Sequence, residues 1–442
     1  MRTLAERIKD FEFPSFVYSY PPPRMYTPLP DFSLEHLTFT SDVGIYIHIP
    51  FCEQKCTFCP YLTLVERSSA FRDAYVDCIV KEIEMYRNVL GDKTITTINF
   101  GGGTPSLLTP KQFEKIINKL AEINPQLSGN LQELSIEATP ETVEYNKFAA
   151  FKEQGLTRVS IGVETLSNEE IRLSKRHNWA DTSMKAIETS KRAGIANICC
   201  DLMYGIESQT INSWEKSVLG ILEFKPETIE LFALVSRPTT PIGINNPLLM
   251  SNQEKYACLD IARAILSNSG YRYAAHTFNI PGRGGYLQQA HAFQGKSVIG
   301  FGVGARTYAQ KMYYRNTYNT RFSKRATQEY MTQITNGRFA VDAGVHLDQE
   351  ELMRRYAIYN LEHLDKNNLQ RIFGIEFNQV SGPKNQEIVE LGLATDTPDS
   401  FELNDKGLLY RDLLSHEFFS ERVKQAENAY GSKAIQTAGV QS

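Results

Sequence analysis

The run Tyr46-Ile-His-Ile-Pro-Phe-Cys52-Glu-Gln-Lys-Cys56-Thr-Phe-Cys59-Pro60 constrains this 442-residue chain more than any other stretch. Its apolar residues alternate up to Pro50, which cannot donate to a sheet ladder, and three cysteines then follow within eight residues. The pattern reads as a strand ending in a loop that carries three thiols. Paired-arm zinc sites need four ligands, and no fourth Cys or His follows nearby, so the C-x3-C-x2-C spacing suits a cubane iron-sulfur cluster better than zinc. Three thiolates on such a cluster leave one iron open to a further ligand. On these residues alone, buried or zinc-bound thiols remain the alternative.

Length allows about two to three domains of ~150 residues each, and 42% hydrophobic content can fill a large core. A formal net charge of -4 provides no field for nucleic acid or an anionic membrane. Of the seven cysteines, Cys78, Cys199, Cys200 and Cys258 are scattered and form no disulfide framework. An oxygen-sensitive cluster calls for a reducing compartment, so a cytoplasmic location is expected. The first ten residues read as a short amphipathic helix, and no run of ~18 apolar residues occurs, so no export or membrane-spanning segment is expected.

Residues 11–42 are rich in Pro and Tyr and read as an ordered lead-in, either lining a mouth or packed as a surface arm. From 43 to about 235, β-rich runs at 43–49, 95–100, 133–137, 158–163, 197–204 and 228–233 alternate with helical periodicity at 111–123, 183–193 and 211–224. Six such units make an α/β fold with a parallel sheet, most simply a partial (β/α)6 barrel whose site lies at the C-terminal ends of the strands. Runs at 271–278 and 298–301 read as strands that extend the sheet, giving a barrel region of 43–310 and a connector over 311–341. Residues 342–430 read as a C-terminal domain with helices at 349–360 and 367–373, and 431–442 as a disordered tail. From 342 onward 17 acidic residues oppose 10 basic ones, a net -7 that argues against DNA as a partner.

Phe100-Gly101-Gly102-Gly103-Thr104-Pro105 follows a strand and precedes a helix, so a ligand can approach the backbone closely. The Lys-Ser/Thr pair that closes a phosphate loop is missing. With period-two alternation, an inward Asp201 carries Cys199 and Met203 inward and Cys200 outward.

With its aromatic before the third cysteine, the triplet resembles the radical S-adenosylmethionine (SAM) enzymes, and Tyr46-Ile-His-Ile-Pro-Phe-Cys52 resembles their oxygen-independent coproporphyrinogen III oxidase (HemN-like) branch. The resemblance implies that Cys52, Cys56 and Cys59 hold a 4Fe-4S cluster. It implies a first SAM at Tyr46, Gly102, Gly103, Glu137, Arg176 and Asp201, and a second beside Gly103, Thr104, Met203, Ala233 and Gln289. Arg176 would grip a carboxylate in a bidentate fork. At the last place of Ser160-Ile-Gly-Val-Glu164 the family carries Gln; Glu164 still accepts from a ribose hydroxyl but donates no amide hydrogen. Residues 342–430 loosely resemble the family's small winged-helix-like, α-rich C-terminal domain.

Two departures bear on substrate. Where the oxidases continue Cys-Gly-Cys, this chain has Cys59-Pro60-Tyr61, and where haem-trafficking relatives carry His-Asn-x-x-Tyr-Trp it has Gln288-Gln-Ala-His-Ala-Phe293. Tyr18-Ser-Tyr-Pro looks more like HemN-like members that include methyltransferases and cyclopropane-forming enzymes. The expected function is therefore reductive SAM cleavage, with a second SAM used for C-methylation or cyclopropanation of a small unsaturated or aromatic substrate. The alternatives are a porphyrin reaction (coproporphyrinogen decarboxylation or haem-ring opening) and a non-enzymatic haem carrier. The implied partners are a small-molecule substrate and a one-electron reductant such as flavodoxin or ferredoxin.

Overall fold

The computed structural model describes residues 2–427 and 429, except 15, 16, 18, 246, 248, 275 and 276. Tyr18 and the tail 431–442 lie outside the described residues.

Six parallel strands, β1 (Asp42–Ile49), β2 (Thr94–Gly102), β3 (Glu133–Ala138), β4 (Arg158–Glu164), β5 (Asn197–Tyr204) and β6 (Thr228–Ala233), pair in sequence order. Between them run helices such as α1 (Ser69–Met85), α2 (Pro110–Ile123), α3 (Tyr145–Glu153), α4 (Ala180–Arg192) and α5 (Ile211–Leu222). This is the expected α/β partial barrel. On β1 the residues Val43, Ile45, Ile47 and Ile49 are fully buried toward the helices, which leaves Gly44, Tyr46 and His48 to line the interior. The same alternation gives a polar lining on every strand, so apolar stabilisation lies outside the sheet. Helix α2 shows how: Thr109 and Gln112 cap its start reciprocally, Pro110 sits at the first turn, and Phe113, Ile116, Ile117 and Leu120 are buried. Each such side chain contributes roughly 1.5–3 kcal/mol of burial energy.

The sheet extends differently from expectation. The strand over 298–301, β7 (Ser297–Phe301), adds parallel to β1 and not beyond β6. The run at 271–278 is two short strands, Arg272–Ala274 and Thr277–Asn279, which pair antiparallel with each other and then with β6. The stretch expected as a connector, 311–341, supplies strand Met312–Asn316, helix Ser323–Thr335 and the start of strand Val341–His346, all packed on the β7 side of the body. Alternation in Met312-Tyr-Tyr-Arg-Asn was strand-like, and its pairing with residues thirty positions later is what local pattern does not reveal.

A separate cluster of buried residues, including Leu364, Leu369, Phe401, Leu413 and Leu414, forms the core of the C-terminal region. There a three-stranded antiparallel sheet (His363–Asp365, Ser400–Leu403, Ala394–Asp396) packs with helices Gln349–Tyr359, Lys366–Phe373 and Arg411–Glu417. The lead-in binds this core: Leu4 and Val17 are buried in it, and Thr27–Pro28 pairs with the edge strand Val341–His346. Tyr20 is fully buried, donates its hydroxyl to Glu351, accepts from the Ser420 N–H at 3.0 Å, and donates its own N–H to the Tyr359 hydroxyl at 2.7 Å. Among the described residues no helix is long and apolar enough to cross a membrane.

Replacing Tyr20 by Phe removes one hydroxyl that serves two buried groups, so urea denaturation is expected to show a loss of about 1–3 kcal/mol. Iron content at the distant barrel mouth should not change. An unaltered unfolding midpoint would mean that the arm does not tie the C-terminal region down.

Candidate active site

The thiol loop is shaped by the end of β1. After Pro50, Phe51 and Cys52 pair with Leu64 and Val65, and the Leu64 N–H donates to the Pro50 carbonyl at 2.7 Å, closing the segment that carries Cys56 and Cys59. The Thr57 N–H donates to Ser174 O (3.2 Å), and Thr57 O accepts from the Ile242 N–H (3.0 Å), so two other segments hold the turn. His48 is buried, and that burial pushes its pKa down to about 4. The neutral ring donates from Nε2 to Leu62 O at 3.4 Å and accepts the Tyr46 hydroxyl at Nδ1 at 3.2 Å, linking strand to loop.

All three loop cysteines are free. Burial pushes the Cys52 thiol up to about 12 and Cys59 up to about 11, and raises Cys56 despite the nearby Arg176 guanidinium. Such sulfurs become thiolates when a metal supplies compensating charge. A tetrahedral zinc with ~2.3 Å bonds would hold its sulfurs about 3.8 Å apart. The three sulfurs do not form a close-set single-ion group, and a donor set of three thiols suits a cluster. Thr104 Oγ1 donates to Cys52 Sγ at 3.6 Å and Arg176 Nη1 to Cys56 Sγ at 3.8 Å. A Cβ at Gly103 would lie 2.7 Å from Phe51 O, 2.8 Å from Pro50 O and 2.9 Å from Cys52 Sγ, so only glycine admits the loop this close.

At the end of β2 three successive N–H groups are already used. Gly102, at φ 121°, donates to Glu137 Oε2 (3.0 Å), Gly103 to Ile49 O (2.8 Å) and Thr104 to Phe51 O (2.7 Å). The turn therefore offers a ligand carbonyl oxygen, which accepts from an ammonium and repels a phosphate. Glu137 is half-buried, and desolvation holds it above the usual carboxylate range, with the Gly102 N–H opposing that shift. Tyr46 lies against the same turn, its ring atoms within 3.0 Å of where a Gly101 Cβ would stand.

Glu164 leaves β4 through a register shift and adopts φ 66°, a left-handed conformation that costs a non-glycine residue on the order of 1 kcal/mol. The turn brings its carboxylate to Arg176 (Nη1–Oε1 3.2 Å), and burial pushes its pKa to about 7 against the pull of that guanidinium. Arg176 also donates from Nε to Asn178 Oδ1 (3.1 Å) and from Nη2 to Gly162 O. Four of its five N–H groups are thus engaged. The expected bidentate fork is corrected to a single remaining N–H, because Glu164 takes the place of the family's amide.

Asp201 Oδ1 accepts from Ser160 Oγ at 2.8 Å and from Cys199 Sγ at 3.3 Å, while Cys200 packs in the outer core, as alternation required. Met203 packs with Ile206, Leu234, Ile242 and Phe58 beside the thiol loop. Ala233 is opposite Tyr204 in the ladder, one residue out of phase with Met203, whose partner is Phe232. Its methyl therefore shares the helix-facing side with Tyr204, and Phe232 takes the inward position. Gln289 is not brought to the mouth. Its helix, Leu287–Phe293, crosses the opposite end of the barrel, where the Leu287 and Gln288 N–H groups donate to Glu133 at the start of β3. The sequence match there needed a gap, and the chain uses that segment to close the barrel floor.

Sequence reasoning passed over Arg158 and Glu230, which share the inward face with Ser160 and Asp201. The period-two rule that put Asp201 inward, applied to β4 and β6, identifies both.

The Radical SAM superfamily profile matches residues 46–219. The chain is 26% identical over 356 residues to the oxygen-independent coproporphyrinogen III oxidase of Pseudomonas aeruginosa, covering 76% of this chain and 75% of that one. It is 29% identical over 231 residues to the haem chaperone HemW of Buchnera aphidicola, covering 52% of this chain and 60% of that relative's length. Among solved structures, coproporphyrinogen III oxidase (HemN) from Escherichia coli superposes with a TM-score of 0.78 at 22% identity, over 91% of this chain and 96% of that one. These relatives bear on the porphyrin alternatives and give no weight to C-methylation. With the triplet, the glycine turn and the barrel in place, residues 46–219 carry a radical SAM domain, and the chain is similar over most of its length to the HemN-like branch of that superfamily.

Proposed function

We propose that this chain is a HemN-type radical SAM enzyme that abstracts hydrogen from a small molecule held inside the barrel. The observation that carries the reading is the arrangement at the mouth: three free thiols on one loop, Cys52 buried and Cys56 and Cys59 partly so, with the Arg176–Glu164 pair against Cys56. Cys52, Cys56 and Cys59 would hold the 4Fe-4S cluster. When bound, cluster and SAM supply reductive cleavage of the sulfonium to methionine and a 5'-deoxyadenosyl radical.

The chain's own residues orient and enclose. The carbonyls at Gly102 and Gly103 would accept from the amino group of SAM, the spare Arg176 N–H would donate to its carboxylate, and Glu137, Glu164 and Asp201 would accept from ribose hydroxyls. Thr104 and Arg176 donate to thiolate sulfur and lower the charge felt there. Burial excludes water and other hydrogen donors.

The named relatives favour oxidation of a porphyrin-type substrate. Methyl transfer with a second SAM beside Thr104, Met203 and Phe232 is the competing reading, favoured by the missing cysteine after Cys59. Turnover with SAM trideuterated at the methyl group separates the two. Decarboxylation should give unlabelled 5'-deoxyadenosine and no S-adenosylhomocysteine, whereas deuterium in the deoxyadenosine together with S-adenosylhomocysteine establishes methyl transfer.

Two further outcomes test the common chemistry. Anaerobic reconstitution should give a reducible cluster, and alanine at Cys52, Cys56, Cys59 or Gly103 should each abolish it; iron and sulfide at wild-type levels in these variants would refute the site. Arg176→Ala and Asp201→Ala should retain iron yet bind SAM roughly ten- to a hundredfold more weakly, the cost of about 1.5–3 kcal/mol for one charged hydrogen bond. Equilibrium binding of SAM checks this, and unchanged affinity in both returns these residues to a structural role.

A further inference from the structure

Below the proposed SAM position the barrel interior holds two polar groups whose hydrogen bonding is incomplete. Arg158, 2% exposed, donates from Nε to Gly285 O at 3.2 Å and stacks on the Tyr286 ring with its guanidinium carbon 4.5 Å from the centroid. Its Nη2 is buried without a hydrogen-bond partner among the described residues. A guanidinium held at Nε with the adjacent Nη2 buried and unpartnered costs free energy unless a ligand completes it.

Glu230 stands opposite Asp201 in the ladder, and the two carboxyls with Cys199 Sγ have ligand atoms within 4.8 Å of one another. The other interior acids have donors: Glu133 takes two N–H groups, Glu137 one, and Asp201 a hydroxyl and a thiol. No such donor to Glu230 is present among the described residues. Burial, and then the neighbouring Asp201 charge, hold its carboxyl above the usual range, so near neutral pH it retains a proton to donate as well as an oxygen to accept. Glu230 and Phe232 also border a small cleft of about 50 Å³ between β6 and Leu408, Arg411 and Asp412 of the C-terminal region.

A divalent cation among Cys199, Asp201 and Glu230 is opposed by the Arg158 charge facing the same space. An anion is opposed by Glu133, Glu137 and Asp201, which outnumber that one cation. A neutral group with adjacent acceptor and donor meets neither objection. We propose that Arg158 and Glu230 form a subsite for a planar amide or lactam of the substrate, its carbonyl taking the free Arg158 N–H and its N–H facing the Glu230 carboxyl. This rests on the reading that the substrate reacts inside the barrel, and it gives the one substrate group that meets Arg158 and Glu230 a chemical class, a neutral amide or lactam, while leaving the rest of the substrate unassigned.

The test uses the full-length reconstituted protein and two small probes, 2-pyridone for a lactam and propionate for a carboxylate, followed by saturation-transfer NMR titration. In the wild type 2-pyridone should bind at least about tenfold more tightly than propionate, a comparison that needs no variant. Glu230→Leu should weaken 2-pyridone roughly tenfold, whereas Glu230→Gln, which still donates and accepts, should stay within about threefold. Circular dichroism confirms that the variants fold. Equal or tighter propionate binding overturns the proposal, and so does 2-pyridone binding indifferent to Glu230→Leu. A wild-type protein that takes up no iron and sulfide would fail the radical SAM reading but leave the titration readable, because the subsite is built of protein groups alone.

Discussion

Burial holds Cys52 and Cys59 as thiols up to about pH 12 and 11, so these sulfurs become ligands only beside a positive centre. Much of the surrounding architecture follows from that cost. Pro50 ends the ladder so that the chain can turn, Gly103 lets a neighbouring backbone reach Cys52, and Thr104 and Arg176 point donors at sulfur. His48, kept neutral by burial, ties strand to loop without adding a charge that would repel the cluster's metal.

A second constraint is that the barrel lining is polar while the strands must still be stabilised. Apolar burial is displaced to the outer face, where Val43, Ile45, Ile47 and Ile49 meet the helices. The interior then carries charges at low dielectric, where each must be paired or become neutral. Glu164 is paired with Arg176, Asp201 is hydrogen-bonded, and Arg158 is held at the floor by Gly285 and Tyr286. A site of this kind is already oriented for hydrogen-bonding ligands, which is what a reaction that excludes water requires.

Local periodicity made the six strands and the direction of Asp201, Cys199 and Met203 legible, because alternation is a property of neighbouring residues. The family resemblance, not periodicity, misplaced Gln289, whose helix closes the opposite end of the barrel, and set Ala233 beside Met203 although the two fall out of phase. The pairing of β7 with β1, and of Met312–Asn316 with Val341–His346, joins segments too distant for local pattern to connect. Arg176 shows the same limit at a single side chain. Its type and place in the chain implied a free fork, while its neighbours left one N–H.

By itself the sequence determined the cysteine triplet, the glycine turn, the alternating strand-helix order and hence the family resemblance, since residue type, spacing and periodicity are written along the chain. Tertiary structure decided which polar groups face one another across the barrel. It set Glu164 against Arg176 and left a buried Arg158 N–H without a partner in the interior that Glu230 also faces. Those relations depend on ladder register and on a bulge at Gly162–Glu164, where a shift of one residue exchanges the inner and outer faces of a strand.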